Sequence, residues 1–172
     1  MGKLDFSDSK QVRKIHGDFG EVFWKIHSEQ NAFAYARPED IGSDLIHKGV
    51  IRFKKGFQRV EVRVPDSLRG LLLAILTPKS FDSNNPSYCF DFLSCAISTG
   101  EIDRLGRDEV LENKKLSDFT IVEVKTGEAE LSSTERQLHE SCHQMGVRYS
   151  VHRVVDMNKP LKEWRLKKDD LV

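Results

Sequence analysis

Long apolar runs are missing from this chain: no segment approaches the roughly 20 residues that a bilayer-spanning helix needs. Met1 to Asp5 is not followed by the apolar stretch of a secretory signal, and Phe6 stands where a myristoylation signal carries Ser or Thr. A cytoplasmic protein without membrane attachment is therefore expected. Cysteine is scarce as well. Cys89, Cys95 and Cys142 lack CxxC spacing, which argues against a disulfide framework or a thiolate zinc knuckle and for reduced, buried thiols. Neither sign of charge is in excess. Because 27 Lys and Arg balance 27 Asp and Glu over 172 residues, no overall field draws the protein to a polyanion, and only local charge can identify a partner. With 38% hydrophobic side chains the chain can bury one core, so a single domain is expected.

The apolar residues that are present fall into periodic groups. Val12, Ile15, Phe19, Val22, Phe23 and Ile26 recur every three or four positions, predicting a helix over 9–28 with these residues on its buried face. Gly17 and Gly20 within it permit close approach to another element or mark a break. Residues 31–43 have no period and read as connector. Residues 50–53 and 60–64 alternate apolar and charged positions around Lys54-Lys55-Gly56, the pattern of a half-exposed hairpin. Residues 71–76 are an apolar run of either type, and 80–87 a loop. Strands are predicted at 88–97, 119–125 and 149–155. Between the first two, 98–118 is polar and punctuated by Gly, an inserted excursion. Between the last two, Ser132 and Glu135 have capping-box spacing, Leu138, Cys142 and Met145 form an apolar stripe, and Gly146 suits a helix stop. That helix makes a crossover able to set its two strands side by side.

Chemistry concentrates at Glu123-Val124-Lys125. Residues two apart in a strand share a face, so Glu123 and Lys125 project together while Val122 and Val124 pack oppositely. A carboxylate can hold a hard cation that polarises a phosphate and acidifies water, and a lysine beside it can orient that water or offset developing charge. A second carboxylate is expected from an adjacent strand. Asp91 is preferred, because it alternates with Cys89, Leu93, Cys95 and Ile97, where desolvation is costly unless a cation pairs it. Asp103, in Gly100-Glu101-Ile102-Asp103, is its rival.

Phe90-Asp91-Phe92-Leu93, Val122-Glu123-Val124-Lys125-Thr126-Gly127, Leu131-Ser132, Glu135-Arg136 and Gly146 through Val151 together resemble the core of the PD-(D/E)xK nuclease superfamily, near its Holliday-junction-resolvase-like and restriction-endonuclease-like members. The resemblance spans roughly 88–155. It implies an α/β fold, a restriction-endonuclease-like mixed sheet flanked by helices, here with an additional basic hairpin. It also implies Mg²⁺ or Mn²⁺ held by Asp91 and Glu123, with Lys125 assisting hydrolysis of DNA, branched or single-stranded forms included. Gly20-Glu21 resembles the first-helix Glu that helps hold the metal in many members, so Glu21 is kept as a third candidate ligand, although it falls about 150° from the centre of the apolar stripe, where a solvent-facing role fits equally well. The expected organisation is one nuclease-like domain over 1–157, with inserted segments at about 31–87 and 98–118, and a charged tail over 158–172. A homodimer is left open.

Two further patterns compete or contribute. His139-Glu140-Ser141-Cys142-His143 matches HExxH, in which two histidines a turn apart bind zinc, but Tyr149 stands where a longer motif needs its third histidine. Lys48, Arg52, Lys54, Lys55, Arg59, Arg63 and Arg69 form a local basic patch against Glu61 and Asp66, suited to successive phosphates, with Phe53 and Phe57 as candidate stacking residues. Arg136, Arg148 and Arg153 could extend it. A non-catalytic nucleic-acid-binding module on the same scaffold is the first alternative, and an HExxH zinc hydrolase the second.

Overall fold

The computed structural model describes residues 9–30, 33–76 and 89–171. In chain order it contains α1 (Ser9–Gln30), β1 (Phe33–Ala36), α2 (Gly42–Lys48), β2 (Val50–Lys55), β3 (Gln58–Arg63), α3 (Asp66–Ile75), β4 (Phe92–Ala96), α4 (Thr99–Arg104), β5 (Val110–Leu111), β6 (Phe119–Thr126), α5 (Ser133–Met145), β7 (Arg148–Val155) and β8 (Arg165–Lys168). The strands make one mixed sheet in the order β5-β3-β2-β1-β4-β6-β7-β8, with β3–β5 and β6–β7 parallel and the other pairs antiparallel. Helices cover both faces, so this is an α/β fold.

Local chemistry explains the segment that carries the site. The α5 crossover starts at a capping box, Ser132 Oγ accepting from Glu135 N at 3.2 Å while Ser132 N donates to Glu135 at 2.6 Å, and it stops at Gly146 in the left-handed region, φ 73°. The chain can then return as β7 beside β6, Glu123 opposite Val151. The β2–β3 hairpin also matches its pattern, with Val50, Ile51, Phe53, Val60 and Val62 buried and Gly56 supplying the positive φ of the turn.

The two faces of the sheet have separate cores. On one, Ile51, Leu93, Cys95, Phe119 and Ile121 pack with Leu45 of α2, Leu68 and Leu72 of α3, and Leu138 and Cys142 of α5. On the other, Val122, Val124, Val154, Tyr35 and Phe92 pack under α1 around Trp24. The Trp24 ring stacks on Phe92 at 4.3 Å, and its Nε1 donates to His152 Nδ1 at 2.7 Å. His152 can accept that bond because burial, reinforced by Lys168 and His27, drops its pKa to about 4 and keeps it neutral.

Several expectations are corrected here. The α1 stripe is reversed: Phe19, Val22 and Ile26 are 53%, 50% and 51% exposed, whereas Gly20, Trp24 and Ser28 meet the sheet. Close packing selects small or flat groups, and a Cβ built on Gly20 would lie 2.6 Å from Thr126 Cγ2. Gly20 is thus a close-approach residue, and α1 continues unbroken through it. The supposed connector at 31–43 contains β1, an interior strand too short to show a period, followed by α2 beginning at Gly42. Residues 71–76 belong largely to α3. The excursion at 98–118 is ordered, running through α4 to β5, which pairs with β3 at the far edge. The tail at 158–172 contributes the edge strand β8, with Trp164 against Phe23 at 5.9 Å. The strand predicted over 88–97 is observed from Phe92 to Ala96. The loop at 80–87 lies outside the described residues.

Candidate active site

Antiparallel pairing of β4 with β6 matches Phe92 to Val122 and Leu93 to Ile121, which brings Asp91, one residue before β4, beside Glu123 where the β4 N-terminus meets the β6 C-terminus. Backbone bonds fix the relationship. Asp91 N donates to Val122 O at 3.1 Å, and Asp91 Oδ2 accepts from Val124 N at 2.7 Å. Asp103 lies exposed on α4, beyond the other end of β4, and does not join this group.

Glu123 is 5% exposed, a severe position for a carboxylate. Lys125, on the same strand face, places Nζ 3.2 Å from Glu123 and 2.9 Å from Glu135. Glu135 thus serves two purposes, capping the first turn of α5 and anchoring Lys125. Glu21 reaches the group from α1, lining one recess with Asp91. Its place follows from the reversed helix: a residue far from an outward apolar stripe faces the sheet end rather than solvent.

The electrostatics show too many carboxylates for one lysine. Burial, then repulsion from Asp91 and a bond to Glu135, pushes the Glu123 carboxyl far above the ordinary carboxylate range. Burial also raises Asp91, with the Val124 N–H, Glu123 and Lys125 only partly offsetting it. Glu21 is pushed up to about 7 by burial and then by Asp91, with Arg37 pulling the other way. Burial would raise Glu135 too, but its bonds to Lys125 and the Ser132 amide hold it below the usual value. Lys125 is raised because Glu135 and Glu123 outweigh its own desolvation.

Tyr149, missed in the sequence because it reads only as a strand residue, joins the same face. Its hydroxyl is buried without a hydrogen-bond partner among the described residues, and burial followed by Glu123 and Glu135 raises its pKa. Glu135 was legible only as a cap. Its second role needed the fold, which brings the first turn of α5 over the end of β6.

No three His, Cys, Asp or Glu side chains among the described residues converge as a ready-made metal cage. Asp91 and Glu123 are nonetheless the right donors for a hard cation that keeps most of its waters, since Mg²⁺ commonly uses one or two carboxylates and completes its shell with water and phosphate. The HExxH histidines are joined by no third ligand among the described residues; His143 is exposed, and the His139 ring packs near Tyr149 at 5.3 Å.

The basic patch divides. Arg63 binds Glu112 at 2.6 Å, Arg52 binds Glu61 at 3.1 Å, Arg69 donates to Ile46 O at 2.8 Å, and Lys55 donates to Ile97 O, so these four are structurally committed. Arg153 is likewise held by Asp169 and by the carbonyls of Gly127 and Ala129. Arg136 lies near Glu130, and Arg148 lines a separate cavity on the α1 face. The Phe53 side chain is fully buried and unavailable for stacking, whereas Phe57 is fully exposed at the hairpin turn. Arg37, Arg52, Lys54, Arg59 and Lys25 line one cleft of about 450 Å³ together with Asp40 and Asp44. A small recess formed by Glu21, Pro38, Glu39, Phe90 and Asp91 shares Arg37 with that cleft. Carboxylates and cations are therefore contiguous, an arrangement that charge totals could not reveal.

Among known proteins, no family model matches the chain, and neither the curated proteins nor the solved structures yield a match. The site's own chemistry carries the functional reading.

Proposed function

We propose that this protein is a Mg²⁺- or Mn²⁺-dependent nuclease acting on DNA, its sheet a variant of the restriction-endonuclease-like fold. The observation that carries the proposal is Asp91 beside Glu123, with Lys125 alongside, where Asp91 also lines a small recess that shares Arg37 with a basic cleft. Asp91 and Glu123 would hold the cation, which supplies Lewis-acid polarisation of the phosphate and a more acidic bound water. The chain's own residues do the rest. Val124 N–H fixes the Asp91 carboxylate, and Glu135 fixes Lys125, whose ammonium can donate to an attacking water or to a phosphate oxygen as charge builds there. Arg37, Lys54 and Arg59 can hold neighbouring phosphates.

The decisive experiment is cleavage of labelled duplex, single-stranded and branched DNA with and without Mg²⁺ or Mn²⁺, by wild type, Asp91→Asn and Glu123→Gln. Both variants nearly preserve shape and should lose cation-dependent cleavage by roughly a hundredfold or more, given what metal activation and charge stabilisation contribute. Wild-type rates in both would sink the assignment. A binding-only version of the same scaffold is favoured by one observation, the engagement of Lys125 by two carboxylates. It predicts DNA binding through the cleft, without cleavage under any cation.

A further inference from the structure

The outward face of α1 has no use in the proposed chemistry and no cover within the described fold. Ile15, Phe19, Val22 and Ile26 are spaced 4, 3 and 4 residues apart, the a/d spacing of a coiled-coil seam, and the sequence carries the spacing back to Val12. Phe19, Val22 and Ile26 are all half-exposed or more. At 3.6 residues per turn this seam is centred about 170° from the Gly20, Trp24 and Ser28 side that meets the sheet. Glu21, on a different side again, stays free at the recess. A helix this polar elsewhere has no reason to expose bulky apolar residues in register unless another helix covers them.

We infer that α1 pairs with α1 of a second copy of this chain, antiparallel, as a two-fold symmetric dimer. The seam is complementary to itself. With the axis between Phe19 and Val22, Phe19 meets the partner's Val22 and Ile15 meets the partner's Ile26, which is the residue-to-residue reciprocity a two-fold interface requires. Charge selects this direction. Asp18 flanks the seam on the same side as Lys25, and antiparallel pairing sets Asp18 opposite the partner's Lys25, twice by symmetry. Parallel pairing would set Asp18 opposite the partner's Phe23 instead. Lys25 now lies 6.0 Å from the Phe92 ring centroid, a weak contact readily exchanged for a carboxylate. Two heptads make a small interface, so the association should depend visibly on concentration.

Sedimentation velocity on the full chain, over a series reaching high micromolar concentration, reads the outcome as mass. Wild type should approach twice its 19.7 kDa. Val22→Asp should stay monomeric with an unchanged circular-dichroism spectrum, because the side chain it alters is half-exposed. Asp18→Lys should shift the monomer–dimer midpoint upward at least tenfold, and adding Lys25→Asp should restore it. A wild type that remains monomeric throughout overturns the inference and leaves the seam to the chain's own residues 1–8 or to another protein. A dimer unaffected by Val22→Asp, or one that Asp18→Lys leaves unchanged, overturns it as well.

Discussion

Asp91, one residue before β4, lies beside Glu123 of β6, and the strand that carries Glu123 also supplies the Val124 N–H that holds the Asp91 carboxylate at 2.7 Å. One backbone ladder therefore positions both carboxylates. The Asp91 carboxylate cannot move without breaking the Val124 bond, and Lys125 holds the Glu123 carboxylate at 3.2 Å, the positioning a metal-binding pair needs.

That closeness sets a pH dependence. Glu21, Asp91 and Glu123 have folded pKa values above their unfolded ones, so across this range the native state binds more protons than the unfolded state. Stability is therefore greatest below the unfolded value near 4.5 and is lost as pH rises, for Glu21 up to about 7. Glu135 and Glu101, held below their usual values, act oppositely in more acidic solution, and His152, lowered to about 4, opposes the trend up to its unfolded value of 6.5. The loss between pH 6 and pH 8 therefore rests on Glu21 and Glu123 together. The metal-free protein should melt at lower temperature at pH 8 than at pH 6. Mn²⁺ should raise the melting temperature more at pH 8, since it replaces the protons that the carboxylates otherwise keep. A thermal-shift grid of pH against Mn²⁺ checks this; no response to Mn²⁺, or a reversed pH slope, counts against a cation at Asp91 and Glu123.

Glu135→Gln separates the two purposes of that residue. Gln is also acceptable at the third position of a capping box, so α5 should stay folded. Lys125 loses a charged partner, so cleavage should fall roughly ten- to a hundredfold, the usual loss when an outer-shell partner is removed. The alkaline limb of the pH–rate profile should move to lower pH. Unchanged kinetics would show that Lys125 does not depend on Glu135.

Within the basic patch, the free and the committed cations should behave differently. Lys54→Ala with Arg59→Ala should weaken DNA binding and reduce the slope of log affinity against log salt by about two, one for each lost phosphate contact. Arg63→Ala, which breaks an ion pair to Glu112, should leave that slope alone. Salt titrations by fluorescence anisotropy make the comparison, and equal slopes for wild type and the double variant would remove the cleft from the interface.

Gly20→Ala improves helix propensity by about 1 kcal/mol yet forces a methyl into Thr126, and such overpacking typically costs about 1–3 kcal/mol. Net destabilisation of about 1 kcal/mol is expected in urea unfolding. Adding Thr126→Ser, which deletes the offending Cγ2, should recover it. A double-mutant cycle showing no coupling would mean that α1 does not sit on β6 this closely.

The elements that were legible in the sequence are those whose signals are local. Ser132, Glu135 and Gly146 announce the ends of α5 through backbone chemistry within a single turn, and the alternation around Gly56 announces the hairpin. Residues 33–36 gave no signal, because four residues buried in an interior strand show no alternation. The period along α1 reveals its apolar stripe but not its side, since periodicity reports that a helix has an apolar face and not what covers it. At the site, Glu123 and Lys125 follow from strand geometry alone. Glu21, Glu135 and Tyr149 come from three other elements, and only the three-dimensional arrangement brings them together.

The detour to β5 has a kinetic consequence. After leaving β4 the chain crosses to the opposite edge of the sheet, pairs with β3, and returns to lay β6 against β4. The 31 residues between Asp91 and Glu123 must complete that circuit before the two carboxylates meet. Closing loops of this kind costs chain entropy before any contact repays it, and such non-local pairing slows folding. A chain still emerging during synthesis, or one that has formed only its hairpin and helices, holds its acidic residues apart. Any activity these residues support therefore waits until the sheet has closed.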